Sequence, residues 1–198
     1  MIFTFKHWFP TSAVLALLVA MQSAAHAQDI EAGRAKAQAC AACHGPGGNS
    51  ENGLYPTLAG QTWRYLYIQL KDFKEGRRND PVMSAMAQPL SRQDMIDIAN
   101  YYAAQPLKPT DFKADETKVR LGKAKTDETL CTMCHLEKFA GQNETPRVAG
   151  QRFEYIVKQL KDFKARVRTN EGGSMIPVAR TLSEADIENV AHYIASLR

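Results

Sequence analysis

Cys40-Ala41-Ala42-Cys43-His44 and Cys131-Thr132-Met133-Cys134-His135 are two copies of one pattern, Cys-x-x-Cys-His, and together they use all four cysteines of the 198-residue chain. The pattern is the attachment signature of c-type haem, in which two thiols bond the vinyl groups and the adjacent imidazole reaches the iron. Competing readings fit less well. Two Cys-x-x-Cys pairs that share a zinc ion usually lie about 15–20 residues apart, whereas Cys43 and Cys131 belong to different halves of the chain. A thioredoxin-like dithiol needs one pair in a strand-helix setting, and neither reading asks for a His after both pairs. Two haem c groups, with iron, are the expected cofactors, attached through Cys40, Cys43, Cys131 and Cys134.

Outward from the motifs, the two halves continue to match. Pro56-Thr57-Leu58-Ala59-Gly60-Gln61 corresponds to Pro146-Arg147-Val148-Ala149-Gly150-Gln151, Gln69–Lys74 recurs unchanged as Gln159–Lys164, and 11 of the 19 positions in Pro56–Lys74 equal their counterparts in Pro146–Lys164. This is a duplication. Each copy reads as a small helical unit. A first helix is expected over Ile30–Cys43 and over Leu121–Cys134, the second two residues longer between its Gly and its first Cys. The next helix carries Leu66, Leu70 and Phe73, or Ile156, Leu160 and Phe163, at the spacing of one apolar face. A last helix opens at Ser91 with Asp94, and at Ser183 with Asp186, in capping-box spacing. No stretch alternates as a strand would. Pro106–Lys118, with two prolines and balanced charges, reads as a linker. Units of about 80 residues bury little apolar surface by themselves, and a covalently held haem supplies the large flat hydrophobe around which short helices pack.

The first 27 residues read as an export signal: Lys6 and His7, an apolar run from Ala13 to Met21, and Ala25-His26-Ala27 as the cleavage site. The run is shorter than the about 20 residues of a membrane span. The expected location is the bacterial periplasm, where unprotected thiols become disulfides and haem attachment removes them from that chemistry. Loss of Lys6 leaves 24 basic and 21 acidic side chains, a formal +3, and four haem propionates bring the charge near −1. A nucleic-acid partner is not indicated. Residues 28–106 hold eight basic and eight acidic groups against thirteen and ten in 119–198, which makes the second half the better face for an acidic partner.

Histidine supply limits the sixth iron ligand. His7 and His26 leave with the signal, His44 and His135 belong to the motifs, and His192 alone cannot complete two irons. Methionine, whose soft thioether favours ferrous iron, is the alternative. Met133 lies inside a motif, Met95 aligns with Ile187, and Met86 aligns with Val178. Met83 and Met175 each stand seven residues before a Leu, Leu90 and Leu182. The axial pairs read from the repeat are His44/Met83 and His135/Met175. His192, aligned with Asn100, reads as a surface or haem-edge residue.

The haem motif, Pro-x-x-Ala-Gly-Gln, Gln-Leu-x-x-Phe, a Met, then Leu-Ser-x-x-Asp and Tyr, all present twice after an export signal, resemble the di-haem cytochrome c4 family over nearly all of the mature chain. The resemblance implies an all-α fold of two tandem small cytochrome c domains, 28–106 and 119–198 about a linker 107–118, related by an approximate twofold with haem edges facing across the interface. It also implies that Pro56 and Pro146 accept a hydrogen bond from the axial imidazoles. Tyr65, Tyr155, Arg77, Arg78 and Arg168 are either haem-propionate partners or exposed helix residues. One stretch departs from the family pattern: Gly45-Pro46-Gly47-Gly48 follows the first motif, but Leu136-Glu137-Lys138-Phe139-Ala140-Gly141-Gln142 follows the second, which suggests a different second haem environment or a dedicated partner.

The implied function is single-electron transfer in a respiratory chain, by a carrier and not an enzyme. Its partners would be a quinol-oxidising complex, a terminal oxidase or a periplasmic dehydrogenase, with peripheral membrane association left open. The alternative is the di-haem subunit of a periplasmic dehydrogenase, such as a sulfide-oxidising flavocytochrome. Catalysis at the haem ranks last, because it needs an open distal site or a spare Cys ligand.

Overall fold

A computed structural model describes residues 30–169 and 173–197; the expected export signal over 1–27 lies outside the described residues. Helices dominate both halves, and among the described residues there is no strand, only an isolated bridge between Gln142 and Thr145. The first unit runs α1 (30–36), a 3-10 turn Ala37–Cys40, α2 (Ala41–His44), α3 (Trp63–Lys74), α4 (Pro81–Ala87) and α5 (Arg92–Ala103). The second runs α6 (Glu116–Glu128), α7 (Thr132–His135), α8 (Phe153–Lys164), α9 (Met175–Arg180) and α10 (Glu184–Ser196).

The first and last helices of each unit cross at a glycine. A Cβ on Gly33 of α1 would lie 2.2 Å from the Asp97 carbonyl oxygen of α5, and one on Gly122 of α6 would lie 2.0 Å from the Asn189 oxygen of α10. No side chain fits there, so backbone meets backbone and the two crossings take the same form. The apolar faces expected on α3 and α8 turn inward: Leu66 packs with Ile98, Ala99 and Tyr102, and Ile156 and Leu160 pack with Ile187, Val190 and Ile194. Both expected capping boxes form, with Asp94 N to Ser91 Oγ at 3.1 Å and Asp186 N to Ser183 Oγ at 3.0 Å. Lys74 and Lys164, from the duplicated segment, donate to the carbonyls of Leu90 and Leu182, tying each α3-type helix to the end of the Met-bearing turn.

Three expectations require correction. The helix over Leu121–Cys134 is broken: α6 ends at Glu128, Leu130 takes φ 54°, and α7 begins at Thr132, so the extra residues of the second copy are absorbed as a kink. The expected linker is not free, and its last residues already belong to α6. Asp115 caps α6, Phe112 stacks on Phe153 at 5.1 Å, and His192 lies against both rings and accepts from the Asp115 amide at 3.2 Å. His192 therefore anchors the linker.

The third concerns the loop after the second motif, whose backbone repeats the first in spite of its sequence. Leu136 (φ 62°, ψ 172°) reproduces Gly45 (φ 75°, ψ 166°), and Lys138 (φ 54°, ψ 15°) reproduces Gly47 (φ 62°, ψ 17°). Phe139 occupies the place of Gly48: its carbonyl accepts from Val148 and Ala149 at 3.0 and 3.3 Å, as that of Gly48 accepts from Leu58 and Ala59 at 2.7 and 3.1 Å. The interior explains the exchange. A Cβ on Gly48 would meet the Tyr102 ring at 2.6 Å. In the second unit the helix position of Tyr102 is Ile194, and the aromatic bulk comes from Phe139, 1 % exposed and edge-on to Tyr193 at 5.8 Å. The same volume is filled from the loop instead of the helix. The cost is left-handed backbone at residues with a Cβ, about 1–2 kcal/mol each. Lys138→Gly should therefore stabilise the protein by about 0.5–1 kcal/mol after the added glycine entropy, seen as a higher denaturant midpoint; a lower midpoint would mean that Lys138 makes a contact outweighing its strain.

Candidate haem sites

Each motif places its imidazole in the same way. α2 and α7 end on His44 and His135, which are 5 % and 8 % exposed. His44 Nδ1 donates to the Pro56 carbonyl at 2.9 Å and His135 Nδ1 to that of Pro146 at 2.9 Å. A carbonyl only accepts, so the proton is on Nδ1 and the lone pair on Nε2. Burial lowers both histidine pKa values, partly countered by the prolyl carbonyl, and the rings are neutral at pH 7. Each is thus a neutral, oriented nitrogen donor, the form in which imidazole binds a metal with its orientation set by the second hydrogen bond.

The four thiols lie on the same turns. Burial pushes those of Cys40 and Cys131 up from the usual thiol range. Among the described residues no group of three His, Cys, Asp or Glu is placed to hold a metal ion by itself. A buried neutral imidazole beside two thiols on one turn fits haem c, where the porphyrin supplies the other iron ligands.

The methionines separate by burial. Met133 is 72 % exposed and Met86 42 % exposed, while Met95 is 5 % exposed in the first core. Met83 and Met175 are half-buried. Both lie in the first turn of short helices that the sequence did not suggest: Asp80 caps α4 by accepting from Val82 N at 3.1 Å and Met83 N at 2.9 Å, and Met175 begins α9 against the second core. The approach to Met175 includes 170–172, which lie outside the described residues.

The proposed propionate partners form a structure of their own. Arg78 donates to Gln69 Oε1 at 2.7 Å and, across the interface, to Tyr155 Oη at 3.0 Å and Gln159 Oε1 at 2.9 Å. Arg168 mirrors this, donating to Gln159 Oε1 at 2.6 Å, Tyr65 Oη at 2.9 Å and Gln69 Oε1 at 3.0 Å. The guanidiniums lie 4.5 Å over Phe73 and Phe163. Burial opposes ionisation of Tyr155, but the two guanidiniums outweigh it and hold its hydroxyl below the usual tyrosine range. Tyr65, Tyr155, Arg78 and Arg168 are therefore not exposed helix residues. Arg77 is set apart from this cluster: its Nε bonds Asp72 at 2.9 Å at the end of α3.

The sequence reading gave no role to the Gln of Ala-Gly-Gln. Gln61 reaches into the second unit, accepting from Arg147 N at 2.7 Å and donating to Arg147 O at 2.8 Å. Gln151 does the same to Thr57, at 2.7 and 2.9 Å. The available signal was a polar residue kept in both copies beside small apolar ones. Arg147 adds a one-sided contact: its buried guanidinium donates to the carbonyls of Gly60 at 3.2 Å and Ala59 at 3.0 Å, and burial pushes its pKa down to about 10.

Comparison with known proteins agrees with this arrangement. The Cytochrome c family model matches residues 30–104 and again 119–198. A cytochrome c4 of Azotobacter vinelandii is 39% identical, the match covering 92% of this chain and 96% of that protein. A thiosulfate dehydrogenase electron acceptor of Thiomonas intermedia is 35% identical over 81% of this chain and 79% of its own length. The crystal structure of reduced recombinant cytochrome c4 from Pseudomonas stutzeri superposes with a TM-score of 0.79 at 39% identity, covering 85% of this chain and 98% of that one. These relatives do not favour the flavocytochrome-subunit alternative. With two tandem haem c domains, the chain belongs to the cytochrome c4 family of di-haem electron-transfer proteins.

Proposed function

We propose that the chain is a periplasmic electron carrier of a respiratory chain, exported by cleavage after Ala27 and divided into domains 28–106 and 119–198 by the linker 107–118. His44 and Met83 hold the first iron, His135 and Met175 the second, with Cys40, Cys43, Cys131 and Cys134 in thioether bonds. The covalently held haem supplies one-electron Fe(III)/Fe(II) chemistry. The observation that carries the reading is the matched pair of buried imidazoles, each locked by a prolyl carbonyl with Nε2 left for a ligand bond.

The residues around each haem hold its ligands. Asp80 and the prolyl carbonyls keep the axial side chains in place in both oxidation states, so little rearrangement accompanies transfer. Arg78 and Arg168 concentrate positive charge at the domain interface, where haem carboxylates would find their counter-charge. No helix among the described residues is long and apolar enough to cross a membrane, which suits a carrier that shuttles between protein partners. The relative named as an acceptor for thiosulfate dehydrogenase supports a periplasmic dehydrogenase as one donor class, beside a quinol-oxidising complex, with a terminal oxidase as acceptor.

Spectroelectrochemical titration of the holoprotein tests the reading. Two one-electron waves, with both haems low-spin throughout and a Met-to-iron(III) charge-transfer band from each, are expected. A high-spin haem at either end of the titration would instead indicate an open distal site and favour catalysis.

A further inference from the structure

The peptide group between Pro56 and Thr57 is used at both ends. Its carbonyl accepts from His44 Nδ1 at 2.9 Å, and its N–H, on Thr57, donates to Gln151 Oε1 of the second domain at 2.7 Å. The peptide group between Pro146 and Arg147 is used in the same way: its carbonyl accepts from His135 Nδ1 at 2.9 Å, and its N–H donates to Gln61 Oε1 of the first domain at 2.7 Å. Both glutamines are buried, and each amide nitrogen is fixed by a return bond, Gln151 to Thr57 O at 2.9 Å and Gln61 to Arg147 O at 2.8 Å. The amide oxygens are therefore aimed at the two N–H groups and cannot turn away.

We propose that Gln61 and Gln151 are positioning residues that act crosswise, each setting the ligand strength of the axial imidazole in the other domain. A peptide group is one conjugated unit. Acceptance of its N–H by a glutamine oxygen draws electron density toward the carbonyl oxygen, and hydrogen bonds in such a chain strengthen one another, by about 10–30% per bond in condensed-phase estimates. The better acceptor pulls harder on the Nδ1 proton, the imidazole becomes more electron-rich, and Fe(III) is favoured over Fe(II). The wiring runs Gln151 to the first haem and Gln61 to the second. A change at the domain interface thus reaches both irons through two bonds, without displacement of a ligand. The inference rests on His44 and His135 being the proximal ligands, as proposed above.

The test uses the haem-loaded protein with Gln151→Met and, separately, Gln61→Met, each nearly isosteric. The two potentials are measured by spectroelectrochemistry and assigned to their domains by NMR of the haem methyl groups. Gln151→Met should raise the potential of the first haem and Gln61→Met that of the second. The expected shift in the Fe(III)/Fe(II) equilibrium is two- to fivefold, roughly 20–40 mV at about 59 mV per tenfold for one electron, with the haem of the mutated domain moving less. Equal movement of both haems, movement of the mutated domain's own haem alone, or no movement overturns the proposal. If a Met variant fails to hold haem, Gln→Asn at the same position, polar but too short to span both groups, is read by the same criterion. Failure of the ligand reading is distinguishable: it removes the Met-to-iron(III) band or the low-spin signature from the wild-type protein itself, which failure of the crosswise effect leaves intact.

Discussion

Met83→Ala is expected to abolish one of the two Met-to-iron(III) bands and to lower the potential of the first haem by a sizeable part of the about 0.8 V that axial ligation commands, with the second haem unchanged; Met175→Ala should do the converse. The thioether is a soft donor that stabilises ferrous iron, and alanine provides no replacement. The proposed assignment to these two residues rests on burial and on the repeat. Met95 is buried on α5, and Met133 is exposed within its own haem motif. Met86 is the nearest competitor, one turn along α4, but it is exposed and the second domain has Val178 in its place. The Asp80 cap, bonded to the amides of Val82 and Met83, fixes where α4 begins and hence which face of it carries a methionine inward. If the first haem kept its band in Met83→Ala, Met86 would have to be the ligand.

A second large effect is expected at the helix crossings. Gly122→Val should destabilise the second domain by about 3 kcal/mol or more, at or above the usual 1–3 kcal/mol of overpacking, because the clash is with backbone. Its Cβ would lie 2.0 Å from the Asn189 carbonyl oxygen and 2.9 Å from the Tyr193 Cβ. Neither can retreat without parting α6 from α10. At about 4–8 °C per kcal/mol for a domain of this size, the thermal midpoint of the holoprotein should fall by about 12–24 °C. Gly33→Val should act alike on the first domain, where the nearest atom is the Asp97 oxygen at 2.2 Å. A variant melting within a few degrees of wild type would show that the helices can cross elsewhere.

Much of the architecture could be read from the chain because its determinants are local. Haem attachment is written in five consecutive residues, helix starts at Ser91 and Ser183 in four, and the apolar faces of α3 and α8 in their spacing. The loop after the second motif was misread for a physical reason. Glycine is the usual sign of left-handed backbone, but Leu136, Lys138 and Phe139 adopt it because burial of Phe139 opposite Ile194 offsets the strain. That compensation joins residues far apart in sequence. The break at Leu130 and the docking of Phe112 on Phe153 are likewise decided by contacts that no short window contains.

The sequence alone determined that two haems bind, that the chain is a duplicated helical unit, and that the one remaining histidine cannot complete two irons. These conclusions follow from covalent chemistry, residue counts and helical periodicity, none of which depends on how the domains meet. Only the tertiary structure decided what the polar residues shared by the two copies of the repeat do. Gln61, Gln69, Arg78 and their counterparts appear in the sequence as parts of one unit, yet most of their partners belong to the other. A hydrogen bond across a pseudo-twofold interface requires two surfaces to be in register, and the register is set by the packing of both domains together.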